Sequence, residues 1–159
     1  MKKLKIYLDT SVISHLDQQD APEKMADTRK LWEELEQGKY ETCIPDVCFD
    51  ELKGCNEEKQ AILYGYLGNI NYQRYQVTPE IKELAEKIIE FGVLAKKSYD
   101  DCLHIATAVV NNCNIIASWN FSHIVKVKTI NGVRTVNLMN GYNTIDIYSP
   151  TMLLEGDDN

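Results

Sequence analysis

An α/β domain with a mainly parallel sheet and helices on both faces is the fold class that the sequence predicts. Segments suited to buried strands alternate with longer amphipathic segments, which is the order of βαβ units. The segment LKIYLD near the start is almost continuously apolar, as in parallel strands covered on both faces. No linker, repeat or low-complexity stretch divides the chain, so we expect one domain over residues 1–150 and an acidic tail at 151–159.

The first half of the chain predicts strands and helices in alternation. After LKIYLD, the helix PEKMADTRKLWEELEQG begins at Pro22 and stops at Gly38, since proline suits the first helical turn and glycine the end. ETCIP is a short strand closed by Pro45. The segments DVCFDELKG and NEEKQAILYGYLGNI are predicted as two further helices.

The second half continues the alternation but contains one ambiguous segment. YQRYQV is a short predicted strand, TPEIKELAEKIIEFGV a helix with Thr78 as N-cap, SYDDCLHIATAVVNN another helix and NIIASWN a buried strand. In VKVKTINGVRTVNLMNGYN the Asn131-Gly132 pair is typical of a hairpin, whereas the apolar residues recur at helical spacing. Residues 127–140 are therefore either a hairpin or a helix.

Composition and charge exclude several classes of protein. The 159 residues are 44% hydrophobic and 26% charged, which is ordinary for a soluble globular domain, and no apolar run resembles a membrane span or a signal peptide. We expect a cytoplasmic protein whose five cysteines, lacking any CxxC pair, are reduced thiols. The net charge of −7 argues against a broad basic surface, so a polyanionic substrate would need local lysines or a metal ion.

Polar residues follow two of the predicted strands. Asp9 comes directly after LKIYL and Asn120 after NIIASW. Ligands of open α/β sheets bind beyond the carboxyl ends of the strands, above all where the strand order reverses. Asp9 is either the N-cap of the helix TSVISHL or part of a site, and Thr10 or Ser11 would serve equally well as caps.

The helix SYDDCLHIATAV offers a second carboxylate. Ser98 and Asp101 have the spacing of a capping box, which is the structural alternative for this aspartate. At 100° per residue, Asp101 lies on the border of the apolar stripe, whereas Asp100, His104 and Thr107 fall on the opposite, solvated face. We therefore prefer Asp101 as a ligand and expect Asp100 at the surface.

The helix DVCFDELKG offers a third carboxylate at a similar border. Val47, Cys48 and Leu52 are predicted to face the core, and Glu51 lies beside them, although a solvated glutamate is the ordinary alternative. Three converging carboxylates raise one another's pKa and need a cation. Oxygen ligands select hard cations such as Mg²⁺ or Mn²⁺, and these suit phosphodiester chemistry.

With these segments in order, the chain resembles a PIN domain, the metal-dependent ribonuclease fold of VapC-type toxins in toxin–antitoxin pairs. The matching segments are YLDTSVIS, PDVCFDELKG, YDDCLHIATAV and IIASWNFSHI, spanning about residues 4–126. The resemblance implies a three-layer α/β/α domain with a five-stranded sheet in the order 3-2-1-4-5. It also favours a helix at 127–140. Since Glu51 and Asp101 lie on matching borders, we expect Thr10 or Ser11 to cap the helix and Asp9 to act as a ligand.

The family's acids fall on Asp9, Glu51, Asp101 and Asn120, and the last is a departure, since many relatives have an aspartate there. The resemblance implies that Asp9, Glu51 and Asp101 bind Mg²⁺ or Mn²⁺, that Asn120 positions water or a second metal, and that Ser11 supports Asp9. It also implies an RNA substrate, a small antitoxin as partner and a homodimer, with no role for a membrane.

Three other functions compete with a ribonuclease. A PIN-fold binding or scaffold module with weak or no nuclease activity is the main alternative, because Asn120 lacks a charge. A phosphohydrolase that forms an aspartyl-phosphate commonly has D-x-D after the first strand, where this chain has Ser11. A receiver-like domain would have an aspartate at the end of the middle strand, where ETCIPDV places Pro45 before Asp46.

Overall fold

Five parallel strands form one sheet in the order β3-β2-β1-β4-β5 in the structure, a computed structural model that describes residues 2–155. Successive strands are added outward from β1, first on one side and then on the other, so the switch point lies between β1 and β4. The predicted fold class and strand order are confirmed. The strands are β1 (Lys5–Leu8), β2 (Glu41–Pro45), β3 (Tyr72–Tyr75), β4 (Ile115–Ala117) and β5 (Asp146–Tyr148).

Helices cover both faces of this sheet. Two single 3₁₀ turns, His15–Asp17 and Lys96–Ser98, supplement them. No helix within residues 2–155 combines the length and apolar character needed to cross a bilayer. The helices are α1 (Thr10–Ser14), α2 (Pro22–Glu36), α3 (Asp46–Leu52), α4 (Glu57–Leu67), α5 (Pro79–Glu90), α6 (Tyr99–Val110), α7 (Val127–Met139) and α8 (Pro150–Glu155).

The central strand β1 separates two hydrophobic cores. Tyr7 points into the core shared with α5, α6 and α7, whereas Ile6 and Leu8 point into the core shared with α1, α2 and α4. All three side chains are fully buried, as the near-continuous apolar pattern of this strand predicts. Four of the five cysteines are buried in these cores, Cys55 is half-buried, and all five are free thiols.

Residues 127–139 form the helix α7, so the helical alternative is correct and the hairpin alternative is wrong. Gly132 does not make a turn. It lets α7 approach the segment before α6, because a Cβ at this position would lie 2.6 Å from Cγ2 of buried Val93. The glycine that resembles a hairpin signal therefore serves close helix packing.

The helix α8 includes the first residues of the segment predicted as an acidic tail. It packs against α2, where Thr151 Oγ1 donates a 2.6 Å hydrogen bond to Asp27 Oδ2, and Leu153 is buried. Residues 156–159, which hold the remaining acids of that segment, lie outside the described residues.

Candidate active site

Asp9 is buried at the carboxyl end of β1 and is also the N-cap of α1. Only 4% of the residue is exposed. Its Oδ1 accepts hydrogen bonds from Ser11 Oγ at 2.5 Å and from the backbone N–H of Val12 at 3.2 Å. The expectation that Thr10 or Ser11 would cap α1 in place of Asp9 is wrong, because β1 ends at Leu8 and the next residue takes the cap position. The predicted support of Asp9 by Ser11 is confirmed.

Ser118, which follows β4, fixes the other oxygen of the same carboxylate. Its hydroxyl donates to Asp9 Oδ2 across the switch point, where Leu8 and Ala117 are register partners. A carboxylate has about four lone-pair positions, and three of those on Asp9 are occupied by these donors. Ser118 was missed in the sequence, where a serine at the end of a buried strand carries no distinctive signal.

Asp101 lies in the first turn of α6, and it is not used in a capping box. Ser98 precedes this helix but makes no side-chain cap hydrogen bond, so the capping-box alternative is wrong. Asp101 Oδ1 instead accepts a 3.1 Å hydrogen bond from Asn120 Nδ2. The carboxylate is half-buried and points toward the end of β4.

The side-chain amide of Asn120 has its orientation set by two contacts. Oδ1 accepts from the backbone N–H of His123 at 2.9 Å, which leaves Nδ2 to face Asp101. Turning the amide around would place two N–H donors against each other. Asn120 therefore meets Asp101 as a hydrogen-bond donor, and its oxygen belongs to the turn that follows β4.

Hydrogen bonds connect the two aspartates into one network. The backbone N–H of Asn120 donates to Ser118 Oγ at 3.0 Å, and that hydroxyl donates to Asp9. The order of contacts is therefore Asp9, Ser118, Asn120 and Asp101. A residue that follows β1, two that follow β4 and one in the first turn of α6 thus lie together at the switch point.

Burial raises the pKa of Asp101 above its ordinary value. The nearby carboxylates Asp9 and Asp100 add to this rise, while His123 and His104 oppose it. A carboxylate that is partly desolvated beside a like charge is poorly compensated by its surroundings. Such a group gains from a bound cation.

Glu51 is placed differently from the two aspartates. It is exposed on α3 and lines a cavity of about 260 Å³ beside Tyr7, Asp100 and His104. The other side chains that line this cavity are Val47, Val77, Leu103 and Thr107. Over residues 2–155, no group of three or more His, Cys, Asp or Glu side chains is close enough together to hold a metal ion.

Three residues in and around this cavity differ from their predicted environment. Val47 is 37% exposed, although it was expected in the core. His104 and Thr107 are buried, although they were expected on the solvated face of α6. His104 and Thr107 are buried because α6 packs against α5 and the sheet, so that the buried surface of α6 is wider than a single stripe.

Tyr7 and His104 form a buried polar pair beside the site. Their Oη and Nδ1 atoms lie 2.7 Å apart, and the rings meet edge to face. Burial raises the pKa of the Tyr7 hydroxyl, and the thiol of Cys48 and the carboxylate of Asp9 raise it further. No sequence pattern indicates this pair, because Tyr7 is an ordinary residue of an apolar strand and His104 falls outside the apolar stripe of α6.

The donor set at the switch point fits a hard divalent cation. Mg²⁺ usually keeps several waters and is bound by one or two carboxylates together with substrate phosphates. Asp9 and Asp101 supply two carboxylates, each with lone pairs that the described hydrogen bonds leave open. An arrangement of two aspartates meets this requirement without a cage of three protein ligands.

Ligands of open α/β sheets bind at the switch point, and two aspartates lie at that point in this sheet. The sequence matches the PIN domain family over residues 6–121, which is more than half of the chain. The chain belongs to this family, and PIN domains are generally nucleases.

Solved structures of other proteins share this fold. A chain of VapBC2 from Rickettsia felis, solved bound to a DNA fragment from their promoter, superposes with a TM-score of 0.55 at 12% identity. The alignment covers 91% of this chain and 98% of that chain. At this identity the likeness concerns the fold. No curated protein matches the sequence.

Proposed function

We propose that the protein is an endoribonuclease dependent on Mg²⁺ or Mn²⁺ that hydrolyses RNA phosphodiester bonds. The observation that carries this proposal is the hydrogen-bond network from Asp9 through Ser118 and Asn120 to Asp101. It holds two carboxylates of a PIN domain at the switch point, where an α/β sheet binds its ligands.

In this proposal Asp9 and Asp101 bind the metal directly, and Glu51 acts through water or orients the attacking water. The bound metal would neutralise charge on the phosphate and lower the pKa of its water. Ser11 and Ser118 fix both oxygens of Asp9, so that its position is set before substrate arrives. Asn120 fixes Asp101 and contributes no negative charge.

The likeness to a VapBC2 chain supports a more specific role as the toxin of a toxin–antitoxin pair. The partner would then be a small antitoxin that places an arginine or lysine in the acidic site, in a cytoplasmic complex. A homodimer of this chain is part of the same proposal.

RNA cleavage in the presence of Mn²⁺ tests the enzymatic role. Wild type should cut a mixed RNA pool, and Asp9→Asn should lose at least about 100-fold, in the range for loss of a group that acts on the transition state. The matched control is Asp50→Asn, which removes an exposed carboxylate that pairs with Lys53 at 3.7 Å. Equal activity of wild type and Asp9→Asn, or wild-type cleavage that persists in EDTA, would contradict the proposal.

A binding module without turnover is the second candidate function. It is favoured by the absence of a three-ligand cluster within residues 2–155 and by the amide that Asn120 turns toward Asp101. Stoichiometric RNA binding with no cleavage by wild type in Mg²⁺ or Mn²⁺ would identify this role.

A further inference from the structure

An aromatic and basic surface adjoins the proposed site on the side of α2. We call it the aromatic corner, and it consists of His15, Lys24, Trp119 and Phe121. The rings of Trp119 and Phe121 meet edge to face at 6.1 Å, and His15 lies 5.8 Å from Trp119. The Nζ atom of Lys24 lies over both aromatic rings, 5.6 Å from the Trp119 centroid and 5.4 Å from the Phe121 centroid.

The two aromatic rings of the corner have different roles. Trp119 is only 6% exposed and donates from Nε1 to Thr28 Oγ1 at 2.9 Å, so its ring is fixed. Phe121 is 48% exposed and packs edge to face against the Trp119 ring. A half-exposed phenylalanine supported on one side presents an apolar face to solvent.

The lysine of the corner is available to an anion. Within residues 2–155 no carboxylate lies within 4 Å of Lys24 Nζ, although the chain carries a net charge of −7. A cation over aromatic rings is held by their quadrupoles, and its remaining donors stay free. The corner therefore combines a half-exposed aromatic ring with a lysine that makes no ion pair within residues 2–155.

The corner is attached to the residues that hold Asp9. The backbone N–H of Trp119 donates to Ser11 Oγ at 2.9 Å, and the same hydroxyl donates to Asp9. Asn120, which contacts Asp101, lies between Trp119 and Phe121 in the chain. The corner is therefore joined by direct contacts to the residues that hold both aspartates.

We propose that the aromatic corner is the subsite for single-stranded RNA, with an unpaired base stacked on Phe121 and a neighbouring phosphate on Lys24. The choice of RNA rests on the proposed function. Sites for single strands combine aromatic platforms with cations that follow the backbone. The bases of a duplex are already stacked on one another, so this surface selects unpaired RNA.

Binding of a fluorescent single-stranded RNA of mixed sequence, measured by anisotropy in EDTA, tests the subsite apart from catalysis. Phe121→Ala should raise Kd about 10-fold, since loss of one stacking contact gives roughly 5- to 150-fold. Lys24→Gln should raise Kd and make the slope of log K against log salt shallower by about 0.7. Phe121→Trp should retain wild-type affinity, which separates stacking from folding.

The matched controls are an exposed phenylalanine and a lysine that do not belong to the aromatic corner. Phe91 is 49% exposed at the end of α5, and Lys30 lies on the same helix as Lys24, so Phe91→Ala and Lys30→Gln should leave Kd within about 2-fold. The proposal is overturned if Phe121→Ala and Phe91→Ala bind equally, or if the Phe121→Ala loss is the same for a duplex of that sequence. No binding of wild type in EDTA also overturns it.

The outcome for the subsite is distinguishable from the outcome for the proposed function. Binding that depends on Phe121 without any metal-dependent cleavage would retain the subsite and contradict the nuclease. Cleavage that depends on Asp9 but is unchanged in KM by Phe121→Ala would retain the nuclease and overturn the subsite. A surface reserved for a protein partner would leave RNA affinity unchanged in every corner variant, which also overturns the proposal.

Discussion

Asn120 donates a hydrogen bond of 3.1 Å to Asp101, so the residue after β4 meets the carboxylate of α6 as a donor. An aspartate at position 120 would present an oxygen in the same place. The amide of Asn120 instead brings no negative charge to the switch point. Its hydrogen bond joins the loop after β4 to the first turn of α6.

An aspartate at position 120 should therefore make the thermal stability of the protein depend more strongly on a bound metal ion. In Asn120→Asp one oxygen still accepts from His123 N–H, while the other faces Asp101, so like charges meet at close range. We expect a loss of about 1 kcal/mol in EDTA, which lowers Tm by about 3 °C at this size. Saturating Mn²⁺ should then raise Tm by more than it does in wild type.

The exposed residue Asn69 supplies the control, because Asn69→Asp adds the same charge away from the site. Thermal unfolding of both variants with EDTA and with Mn²⁺ measures the difference. If the Mn²⁺-dependent rise in Tm is no larger in Asn120→Asp than in Asn69→Asp, a metal near Asn120 is contradicted.

Replacing Asp101 should increase stability while activity is lost. Burial raises the pKa of this carboxyl, so at pH 7 the folded protein contains an ionised group that its surroundings disfavour. Asp101→Asn removes this cost and can still accept from Asn120. We expect a gain in the free energy of unfolding in EDTA of under about 1 kcal/mol, since the group is partly solvated.

The pH dependence of that gain follows from the direction of the shift. As pH falls through the raised pKa of the folded state, wild-type Asp101 takes up a proton and the cost disappears. The advantage of Asp101→Asn should be full above that pKa and should shrink toward pH 4. Urea unfolding at pH 7 and pH 4 measures it, and an advantage that grows toward acid would contradict the assignment.

Removing the hydroxyl of Tyr7 should be costly, because it leaves Nδ1 of the buried partner His104 without this hydrogen bond. The two groups are buried and lie 2.7 Å apart. An unsatisfied buried partner costs about 1–3 kcal/mol, which we expect for Tyr7→Phe in urea unfolding. Tyr142→Phe is the control, since that hydroxyl donates to Glu80 in an exposed pair and should cost less than about 0.5 kcal/mol. Equal losses would contradict a structural role for the buried pair.

Alanine should have opposite effects at two helical glycines. In α7, Gly132→Ala places a Cβ against buried Val93 and should destabilise by about 1–3 kcal/mol. In α4, Gly65→Ala meets no atom within 4 Å and should stabilise by about 0.5–1 kcal/mol through helix propensity. Chemical denaturation measures both variants, and a stabilising Gly132→Ala would show that Val93 yields without cost.

The parts of this structure that the sequence predicts are those set by repeated patterns. Strand order, helix positions and the carboxylates at strand ends and stripe borders follow from periodicity together with the family resemblance. The environment of His104 does not, because α6 is covered on more than one side by α5 and the sheet. The direction of the Asn120 amide is also unpredictable, since it depends on the backbone N–H of His123 in the following turn.

The capping of α1 by Asp9 shows a related limit. Asp9, Thr10 and Ser11 are all good cap residues, and helix propensity alone does not choose among them. The choice depends on where β1 ends, which is fixed by its register with β2 and β4. The expectation of Thr10 or Ser11 as the cap treats capping and metal binding as exclusive, but one carboxylate has enough lone pairs for both.

The dual use of Asp9 also bears on how a gene for this chain would decay if selection for activity were relaxed. Asp9 caps a helix and accepts from Ser11 and Ser118, so its loss harms folding even where catalysis has no value. Burial raises the pKa of Asp101, and we expect its replacement by asparagine to stabilise the fold, so drift can remove it. Inactive descendants should therefore keep the first aspartate long after the second has disappeared, and an intact YLDTS segment alone is weak evidence of an active enzyme.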